Sequence, residues 1–539
     1  MERLDGGEAI LEAFRRLGID YIISSPGSEW APVWKALARQ KITEREGPTY
    51  INCWHESLAV AMAQGYTRAT GRVQAVLLHA GAGLLQGSIA VHGAQLGEVP
   101  MLILSGESLT YGEDPKFDPQ PQWYRNLSVV GGPQRFVEPL VKWANQATSP
   151  HTLYESVVRV AEMAQRVPQG PTYLNVLVET MLHEWTPPDR MARTPAAPRT
   201  RPDDDAINQV ADLLSRSANP VIITGSAGRD PKAFRLLVQL AELLSIPVIE
   251  SSGPHYANFP KDHSLHLGFD AKPVLGEVDL ALVIADQVPW YPPSDSPPNA
   301  TVVVIDENPL KSQVVYQNLQ ADMYLEGDIA ASLRLLLEAV QSNFQADVDR
   351  LRLREAPWGA EHQRQIESNR AAATRAQDKS PIDPMWLCAA LNEVMPDDVI
   401  YVDETIVHRG AILRQLRWNQ PQSYFHPNGG LGQGLGLALG VKLARPERPV
   451  VALMGDGSFL YNPITQSLGV SREAGLPILI IVFNNGSYAS MKRNHLHYYL
   501  HGDDATSGIF HGVHIPGPEY AQVVTPFGDT ERGWKSLAS

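Results

Sequence analysis

The chain has 539 residues, with 45 Lys and Arg side chains against 59 Asp and Glu, and a formal net charge of −14. This length is more than one hydrophobic core accommodates and predicts about three domains, and the acidic balance argues against nucleic acid or an anionic membrane as the main partner. The two cysteines, Cys53 and Cys388, exclude a disulfide framework and a CxxC metal site. We see no signal peptide and no apolar run long enough to span a membrane, so we expect a cytoplasmic globular protein.

Apolar, β-branched runs alternate with helical patterns along the chain. Runs of this kind that lack polar alternation are typical of strands buried on both faces of a parallel sheet. In chain order they cover residues 21–25, 73–79, 100–106, 171–179, 219–225, 279–286, 300–306, 449–455 and 476–484. The pattern therefore predicts an α/β fold of doubly wound parallel sheets.

Two stretches without such strands divide the chain. Residues 186–205 are rich in Pro, Arg and Asp and lack periodicity, which is typical of a linker. Residues 355–383 are highly charged and predict a surface helix that joins two domains. We therefore expect three doubly wound domains, over residues 1–185, 206–345 and 380–539.

In the third predicted domain, polar residues follow two successive apolar strands. The first strand runs into Gly455-Asp456-Gly457-Ser458, and the second ends at Asn484-Asn485. Glycines at a strand end allow close backbone approach to phosphate, and carboxylate or amide oxygens suit Mg²⁺. Either motif alone is usually only a turn or a loop. Because parallel strands bring their carboxyl ends to one edge, the two motifs together predict a shared cation site.

This ordered pair of motifs resembles the signature of the thiamine diphosphate-dependent superfamily of 2-oxo acid decarboxylases and acetolactate synthases. The resemblance implies that the cofactors are thiamine diphosphate and Mg²⁺. It also implies that the metal ligands are Asp456, Asn485 and the backbone carbonyl of Ser487. On the same basis, further candidates for cofactor binding are Gly455, Gly457, Ser458, Tyr488, Thr405 and Ile406.

The resemblance extends over essentially the whole chain and is strongest over residues 20–110 and 425–520. It implies that domain 1–185 binds the aminopyrimidine ring of the cofactor, that 206–345 is the central domain, and that 380–539 binds the diphosphate. Gly429-Gly430-Leu431-Gly432 precedes a helix, which alone would indicate close helix packing. In the family, Leu431 would support the bent cofactor, and the carbonyl of Gly429 would accept a hydrogen bond from its 4′-amino group.

Glu56 follows His55 at the start of a helix in the first domain. Alone, a Glu in a first helical turn needs no function beyond complementing the helix dipole. The resemblance implies that Glu56 hydrogen-bonds N1′ of the aminopyrimidine. A largely buried carboxyl with a raised pKa would assist removal of the thiazolium C2 proton in this way.

His79 stands at the end of another predicted strand, where a histidine is more often a structural residue than a catalyst. That edge is nevertheless where an α/β sheet presents its chemistry. The spacing from His79 to Pro100 resembles that of benzoylformate decarboxylases, in which this histidine is an acid–base group. Pro26-Gly27-Ser28 resembles the segment of the same enzymes in which the serine meets the substrate carboxylate. We take Glu56, His79 and Ser28 as the catalytic candidates.

The central domain supplies no chemistry that the residues themselves support. The segment associated with FAD in acetolactate synthases is missing, so FAD is not expected. His255 is a candidate for a second active-site histidine only by its position in this region.

The resemblance implies nonoxidative decarboxylation of a 2-oxo acid through an enamine intermediate, with carboligation to a 2-hydroxy ketone when a second carbonyl compound is attacked. An acetolactate synthase-type carboligase is the alternative reaction. A catalytically silent cofactor-binding or regulatory subunit is an alternative of another class. In the family, the sites lie between subunits, which implies a homodimer or homotetramer that binds a small-molecule 2-oxo acid.

The end of the sequence departs from the resemblance. After Pro526-Phe527-Gly528, relatives often continue Gly-Tyr-Gly-Glu-Arg-Val-Glu, whereas this chain reads residues 529–535 as Asp-Thr-Glu-Arg-Gly-Trp-Lys. Codons for these residues, shifted by one base, would encode the relatives' segment. We therefore hypothesise a frameshift, and expect the third domain to be truncated at its C-terminus.

Overall fold

A computed structural model describes residues 3–25, 27–110, 112–189, 191, 194–251, 253–315, 320–343 and 348–528. The chain separates into two compact units, one of residues 1–198 with 427–539 and the other of residues 199–426. Residues 529–539, on which the frameshift hypothesis rests, lie outside the described residues. No helix in the described part of the chain is long and apolar enough to cross a membrane.

The first unit contains a six-stranded parallel sheet with the strand order β2-β1-β3-β4-β6-β5. Its strands are β1 Tyr21–Ser24, β2 Thr49–Asn52, β3 Ala75–Leu78, β4 Met101–Glu107, β5 Trp143–Ala147 and β6 Pro171–Leu177. The helices around it are α1 Gly6–Leu17, α2 Ala31–Ile42, α3 Glu56–Thr70, α4 Ala80–Leu96, α5 Pro133–Val137, α6 Leu153–Gln165 and α7 Val178–Leu182. The order reverses between β1 and β3, so the sheet is doubly wound and has a crevice at its carboxyl edge.

The same unit contains the C-terminal part of the chain. Its described elements are α14 Gly434–Ala444, β14 Val450–Gly455, α15 Asp456–Tyr461, α16 Ile464–Ala474, β15 Leu479–Phe483, α17 Ala489–Tyr498 and α18 Asp503–Ser507. Strands β14 and β15 pair in parallel, with Gly455 opposite Phe483. Because parallel partners end at one edge, this register brings the residues after each strand together.

Helices α3 and α14 join the two parts of this unit through close backbone contact. A Cβ atom on Gly65 would lie 2.2 Å from the carbonyl oxygen of Leu437, and one on Gly440 would lie 2.0 Å from that of Met62. Any larger residue at either position would force the helices apart. Glycine is therefore required here for packing, and the contact fixes the N-terminal strands relative to α14.

The second unit has a five-stranded parallel sheet with the order β11-β10-β9-β7-β8. Its elements are α8 Asp204–Arg216, β7 Pro220–Thr224, α9 Pro231–Leu244, β8 Val248–Glu250, β9 Leu280–Ile284, β10 Thr301–Asp306, β11 Met323–Glu326 and α10 Ile329–Asn343. They are followed by α11 Val348–Ala376, α12 Pro384–Val394, β12 Ile400–Glu404, α13 Arg409–Gln415 and β13 Tyr424–Phe425. Strands β12 and β13 pair in parallel within this unit, with Val402 opposite Phe425.

The sequence predictions agree with this architecture. Each of the nine predicted runs forms a strand, and the α/β class with three parallel sheets is confirmed. Most of the charged segment predicted as a surface helix, residues 355–376, lies in α11, which begins earlier at Val348 and ends at Ala376. Among its described residues, the predicted linker 186–205 has no helix or strand before α8 begins. The domain boundaries themselves stay predictions.

Candidate active site

The carboxyl edge of the first sheet holds a buried carboxylate against His79. The side chain of Glu29, in the turn after β1, is 1% exposed, and its Oε2 atom lies 2.9 Å from Nδ1 of His79. Its Oε1 atom accepts a hydrogen bond of 2.6 Å from the backbone N–H of Ala80. The hydrogen bond to Glu29 is the main cause that raises the pKa of His79, burial opposes it, and the charges of Glu29 and Glu56 add to it. The protonated imidazole is therefore favoured.

Two glycines make room for this pair. A Cβ atom on Gly27 would lie 2.2 Å from Nδ1 of His79 and 2.3 Å from Oε2 of Glu29. A Cβ atom on Gly106, in β4, would lie 2.3 Å from Cγ of Glu29. Glu29 is not among the residues predicted from the sequence. The available signal was an acid two residues after Gly27, at a strand end beside the strand of His79.

Ser28 lies next to this pair on the exposed side. Its Oγ atom accepts a hydrogen bond of 3.0 Å from Nε2 of Gln122. Pro26, in the same predicted motif, lies outside the described residues. Ser28 and His79 therefore belong to one strand-end region, as the sequence predicts.

Glu56 is the first residue of α3, and the helix begins where the sequence predicts. Nδ1 of His55 accepts a hydrogen bond of 3.2 Å from the backbone N–H of Ser57 and so caps the helix. The Glu56 side chain is half-buried in the single chain, less than the largely buried carboxyl expected. A Cβ atom on Gly83 would lie 2.9 Å from both Oε1 of Glu56 and Cβ of His79. One helical glycine therefore separates the two candidate proton-transfer groups.

A second group of candidates surrounds Asp456, the first residue of α15. Its Oδ1 atom accepts a hydrogen bond of 2.9 Å from the backbone N–H of Gly457. Its Oδ2 atom accepts hydrogen bonds of 3.2 Å from the backbone N–H groups of Asn485 and Ser487. The structure therefore brings together Asp456, Asn485 and Ser487 at one edge, as the pairing of parallel strands predicts for Asp456 and Asn485.

These residues fit a magnesium ion that carries a diphosphate. In the described part of the chain, no group of three His, Cys, Asp or Glu side chains could hold a metal. One carboxylate with amide and carbonyl oxygens is a small set of hard ligands, which Mg²⁺ accepts when phosphate oxygens and water complete its shell.

The segment after α18 supports the loop that carries Asn485 and Ser487. The backbone N–H of Tyr488 donates to the carbonyl of Val513 at 2.8 Å, and that of Ile515 donates to the carbonyl of Gly486 at 2.9 Å. The Tyr488 ring lies so near Gly457 that a Cβ atom there would be 2.6 Å from Cε1. Gly455 precedes Asp456 as the N-cap of α15, and Ser458, two residues after Asp456, is buried.

The predicted turn over residues 429–432 is tightly held. Gly429 and Gly432 have φ values of +82° and +93°, which favour glycine. Nε2 of Gln433 donates to the carbonyls of Asn428 and Gly430 at 2.8 and 2.9 Å. Nε2 of Gln64 in turn donates to Oε1 of Gln433 at 3.1 Å. Leu431 is half-buried in this turn.

Thr405 and Ile406 follow β12 in the second unit. The Thr405 backbone N–H and Oγ1 donate to Oδ1 of Asp403 at 2.8 and 2.7 Å, and burial raises the pKa of Asp403. Ile406 is exposed. In the same unit, the ring centroid of His255 lies 5.9 Å from that of His426. This contact gives His255 no chemical role, and it stays a candidate.

Three family models match the chain. They are the thiamine pyrophosphate enzyme N-terminal TPP binding domain over residues 4–127, the central domain over 207–336, and the C-terminal TPP binding domain over 407–531.

Relatives and solved structures match along nearly the full length. A benzoylformate decarboxylase of Pseudomonas aeruginosa is 27% identical over 96% of this chain and 92% of its own. An acetolactate synthase large subunit of Mycobacterium tuberculosis is 25% identical over 98% and 90%. The structure of a benzoylformate decarboxylase from Polynucleobacter necessarius matches with a TM-score of 0.78 and 22% identity over 99% and 93%, which shows the shared fold. The chain therefore belongs to the thiamine pyrophosphate enzyme family, and it is an enzyme of the decarboxylase and acetolactate synthase type.

Proposed function

We propose that this protein decarboxylates a 2-oxo acid nonoxidatively with thiamine diphosphate and Mg²⁺. The observation that carries the proposal is His79, whose imidazole is held by Glu29 and whose pKa is raised mainly by that hydrogen bond. A decarboxylase must protonate the carbon that loses CO₂, and a histidine that stays protonated to higher pH suits that role.

The bound cofactor supplies the carbon nucleophile and holds the electron pair that CO₂ leaves behind. In this proposal, Glu56 holds a proton at N1′ of the aminopyrimidine ring. His79 delivers a proton to the product carbon, and Glu29 keeps the imidazole oriented for it. The Ser28 hydroxyl donates a hydrogen bond to the substrate carboxylate.

The cofactor would be held by the residues of the predicted anchor. Asp456, the side chain of Asn485 and the carbonyl of Ser487 would bind the metal. The diphosphate and rings would contact Gly429, Leu431, Gly455, Gly457, Ser458, Tyr488, Thr405 and Ile406. The hydrogen bonds from the loop to Asp456 support this arrangement, since they hold one carboxylate beside both motifs.

Carboligation of the acetolactate synthase type is a second candidate. Full-length relatives with that name, at 25% identity, favour it. Such an enzyme passes the activated carbon to a second carbonyl compound rather than to a proton. His79 beside Ser28 favours the decarboxylase, since a ligase has less need of an acid there.

We further propose that the protein acts as a homodimer or homotetramer with its sites between subunits. Leu85 and Ile89 on α4 support this, because their side chains are 49% and 42% exposed in the single chain. Leu85 lies two residues and Ile89 six residues beyond Gly83, on the helix that packs beside Glu56. Apolar residues exposed together near a site are typical of an interface.

The test is incubation of the purified protein with thiamine diphosphate, Mg²⁺ and a panel of 2-oxo acids, with and without an aldehyde acceptor. Release of CO₂ with an aldehyde product is the expected result. A 2-hydroxy ketone as the main product would favour the carboligase. Bound cofactor without CO₂ release from any acid would support a silent or regulatory subunit and contradict the proposal.

A further inference from the structure

The segment that follows β4, of which residues 108–110 and 112–123 are described, passes Ser28 and is fixed at its start. One oxygen of Glu179, Oε1, accepts hydrogen bonds from the Ser108 hydroxyl at 2.5 Å and from the backbone N–H groups of Leu109 and Thr110 at 3.2 and 3.0 Å. Glu179 itself is buried beside the end of β6. Three donors on one buried carboxylate oxygen define where the segment leaves the sheet.

The far end of the segment is fixed by a buried aromatic side chain. Trp123 is 5% exposed and belongs to the main apolar core of the first sheet. Its Nε1–H donates to the carbonyl of Pro119 at 2.9 Å, and its own carbonyl accepts from the Ser128 hydroxyl at 3.2 Å. Residues Trp123–Leu127 form a π-helical turn. This conformation is rare in proteins as a whole, but where it occurs it is often at a functional site. The residue before Trp123 therefore has a defined position.

That residue is Gln122, whose amide Nε2 donates to Oγ of Ser28 at 3.0 Å. A serine hydroxyl has one hydrogen and two acceptor positions. When the amide occupies an acceptor position, the hydroxyl hydrogen must point away from Gln122. Ser28 is exposed, so this hydrogen is available to a ligand.

We propose that Gln122 is a positioning residue for substrate binding, which orients the Ser28 hydroxyl to donate to the carboxylate of a 2-oxo acid. The inference rests on the proposed function. It assigns to this segment the task of holding the Gln122 amide against Ser28, because Glu179 binds its first residues and Trp123 is buried at its end. Gln122 acts through Ser28, so its effect should appear in the affinity for the carboxylate rather than in the bond-breaking step.

Gln122→Leu removes the donor while keeping the size of the side chain, and Gln122→Glu replaces it by an acceptor. For the best 2-oxo acid substrate, we expect KM to rise about 10-fold in Gln122→Leu with kcat changed less than about threefold, as befits one hydrogen bond to a charged group. Gln122→Glu should raise KM further, because two carboxylates then face each other. Gln134→Leu, a half-buried glutamine on α5 that does not contact Ser28, is the matched control.

An unchanged KM in Gln122→Leu, or a fall in kcat alone, would overturn the inference while leaving the decarboxylase assignment intact. If the wild type releases no CO₂ from any 2-oxo acid, the proposed function fails instead. In that case the role of Gln122 can still be tested by binding alone. The dissociation constants of the unreactive carboxylates lactate and mandelate are measured by calorimetry on the cofactor-loaded protein. Weaker binding to Gln122→Leu than to wild type supports the positioning role, and equal or absent binding overturns it.

Discussion

The two carboxyl edges of the first unit hold their functional side chains in different ways. At the first sheet, one side chain fixes another, since the Glu29 carboxylate binds Nδ1 of His79. At β14 and β15, backbone groups fix the side chain, since Asp456 accepts hydrogen bonds from the N–H groups of Gly457, Asn485 and Ser487.

This difference determines what a substitution does at each edge. Where Glu29 holds His79, a neighbouring charge controls protonation, so changes should appear in the pH dependence of the reaction. Where loop amides hold Asp456, one carboxylate organises the ends of two strands. Changes there should appear in cofactor binding before any effect on chemistry can be measured.

The largest expected effect is at Asp456. In Asp456→Asn, we expect Mg²⁺-dependent binding of thiamine diphosphate to weaken by at least about 100-fold, because the anionic metal ligand is lost. One side-chain oxygen also remains where two now accept hydrogen bonds from the N–H groups of Gly457, Asn485 and Ser487. Titration of the cofactor by calorimetry, with and without Mg²⁺, measures this.

Asp503→Asn, which removes an equal charge from an exposed first turn of α18, is the matched control. Unchanged Mg²⁺-dependent binding in Asp456→Asn would show that the metal lies elsewhere. The backbone hydrogen bonds to Asp456 would then serve the fold of the loop and not the binding of the cofactor.

Glu56→Gln should have the next largest effect, and on turnover rather than binding. Glutamine keeps the size of the side chain but cannot hold and exchange the proton. We expect kcat to fall by about 10²-fold, the lower end of what general acid–base catalysis contributes, with the affinity for thiamine diphosphate changed only a few-fold. Steady-state kinetics at saturating cofactor measures it, and a variant with wild-type kcat would remove Glu56 from the mechanism.

Much of this organisation could be predicted from the sequence. Strands buried on both faces have continuous apolar runs, and all nine predicted runs are strands. The Asp456 and Asn485 motifs each follow such a run, so the rule that parallel strands end at one edge was sufficient to join them. The start of α3 at Glu56 could be predicted because an apolar strand sequence changes there to a sequence with helical periodicity.

The rest depends on tertiary contacts that carry no local signal. The strand β5, Trp143–Ala147, was not predicted, because its side chains are mostly half-buried or exposed and it includes Asn145 and Gln146. Glu29 was not predicted because its partner is fifty residues away along the chain. Their contact depends on the pairing of β1 with β3, and the order of strands in a sheet cannot be obtained from single runs.

At the first edge, Glu29→Gln should shift the pH dependence. The hydrogen bond to Glu29 raises the pKa of His79, so in the wild type the imidazole stays protonated to higher pH and loses its proton as pH rises through that pKa. Without the carboxylate charge, the pKa falls back towards its ordinary value. The high-pH limb of kcat should move to lower pH, with activity at about pH 8 lost more than at about pH 6.

Kinetics across this range on Glu29→Gln and on Glu107→Gln, a buried acid at the end of the neighbouring strand β4, would separate the specific pair from a general loss of charge. Equal profiles for Glu29→Gln and wild type would show that the pair does not control proton delivery. Glu29 would then only hold His79 in position, as the loop amides hold Asp456 at the second edge, and its charge would not control the protonation of His79.

The smallest expected effect comes from adding one methyl group on α4. In Gly83→Ala, the new Cβ atom would lie 2.9 Å from Oε1 of Glu56 and 2.9 Å from Cβ of His79, so both side chains must move. Gly87→Ala is the control one turn further along, since its nearest atom, Cδ1 of Leu78, would be 3.2 Å away. Alanine favours a helix over glycine by about 1 kcal/mol, so Gly87→Ala should keep or raise the melting temperature.

We expect kcat to fall about tenfold in Gly83→Ala and to change less than about twofold in Gly87→Ala, because displacement of a positioned catalytic group costs rate without unfolding the protein. Thermal unfolding measured beside the kinetics separates the two effects. Equal kcat in both variants would mean that the spacing of Glu56 and His79 across α4 does not matter, and that the first edge depends on the Glu29–His79 bond alone.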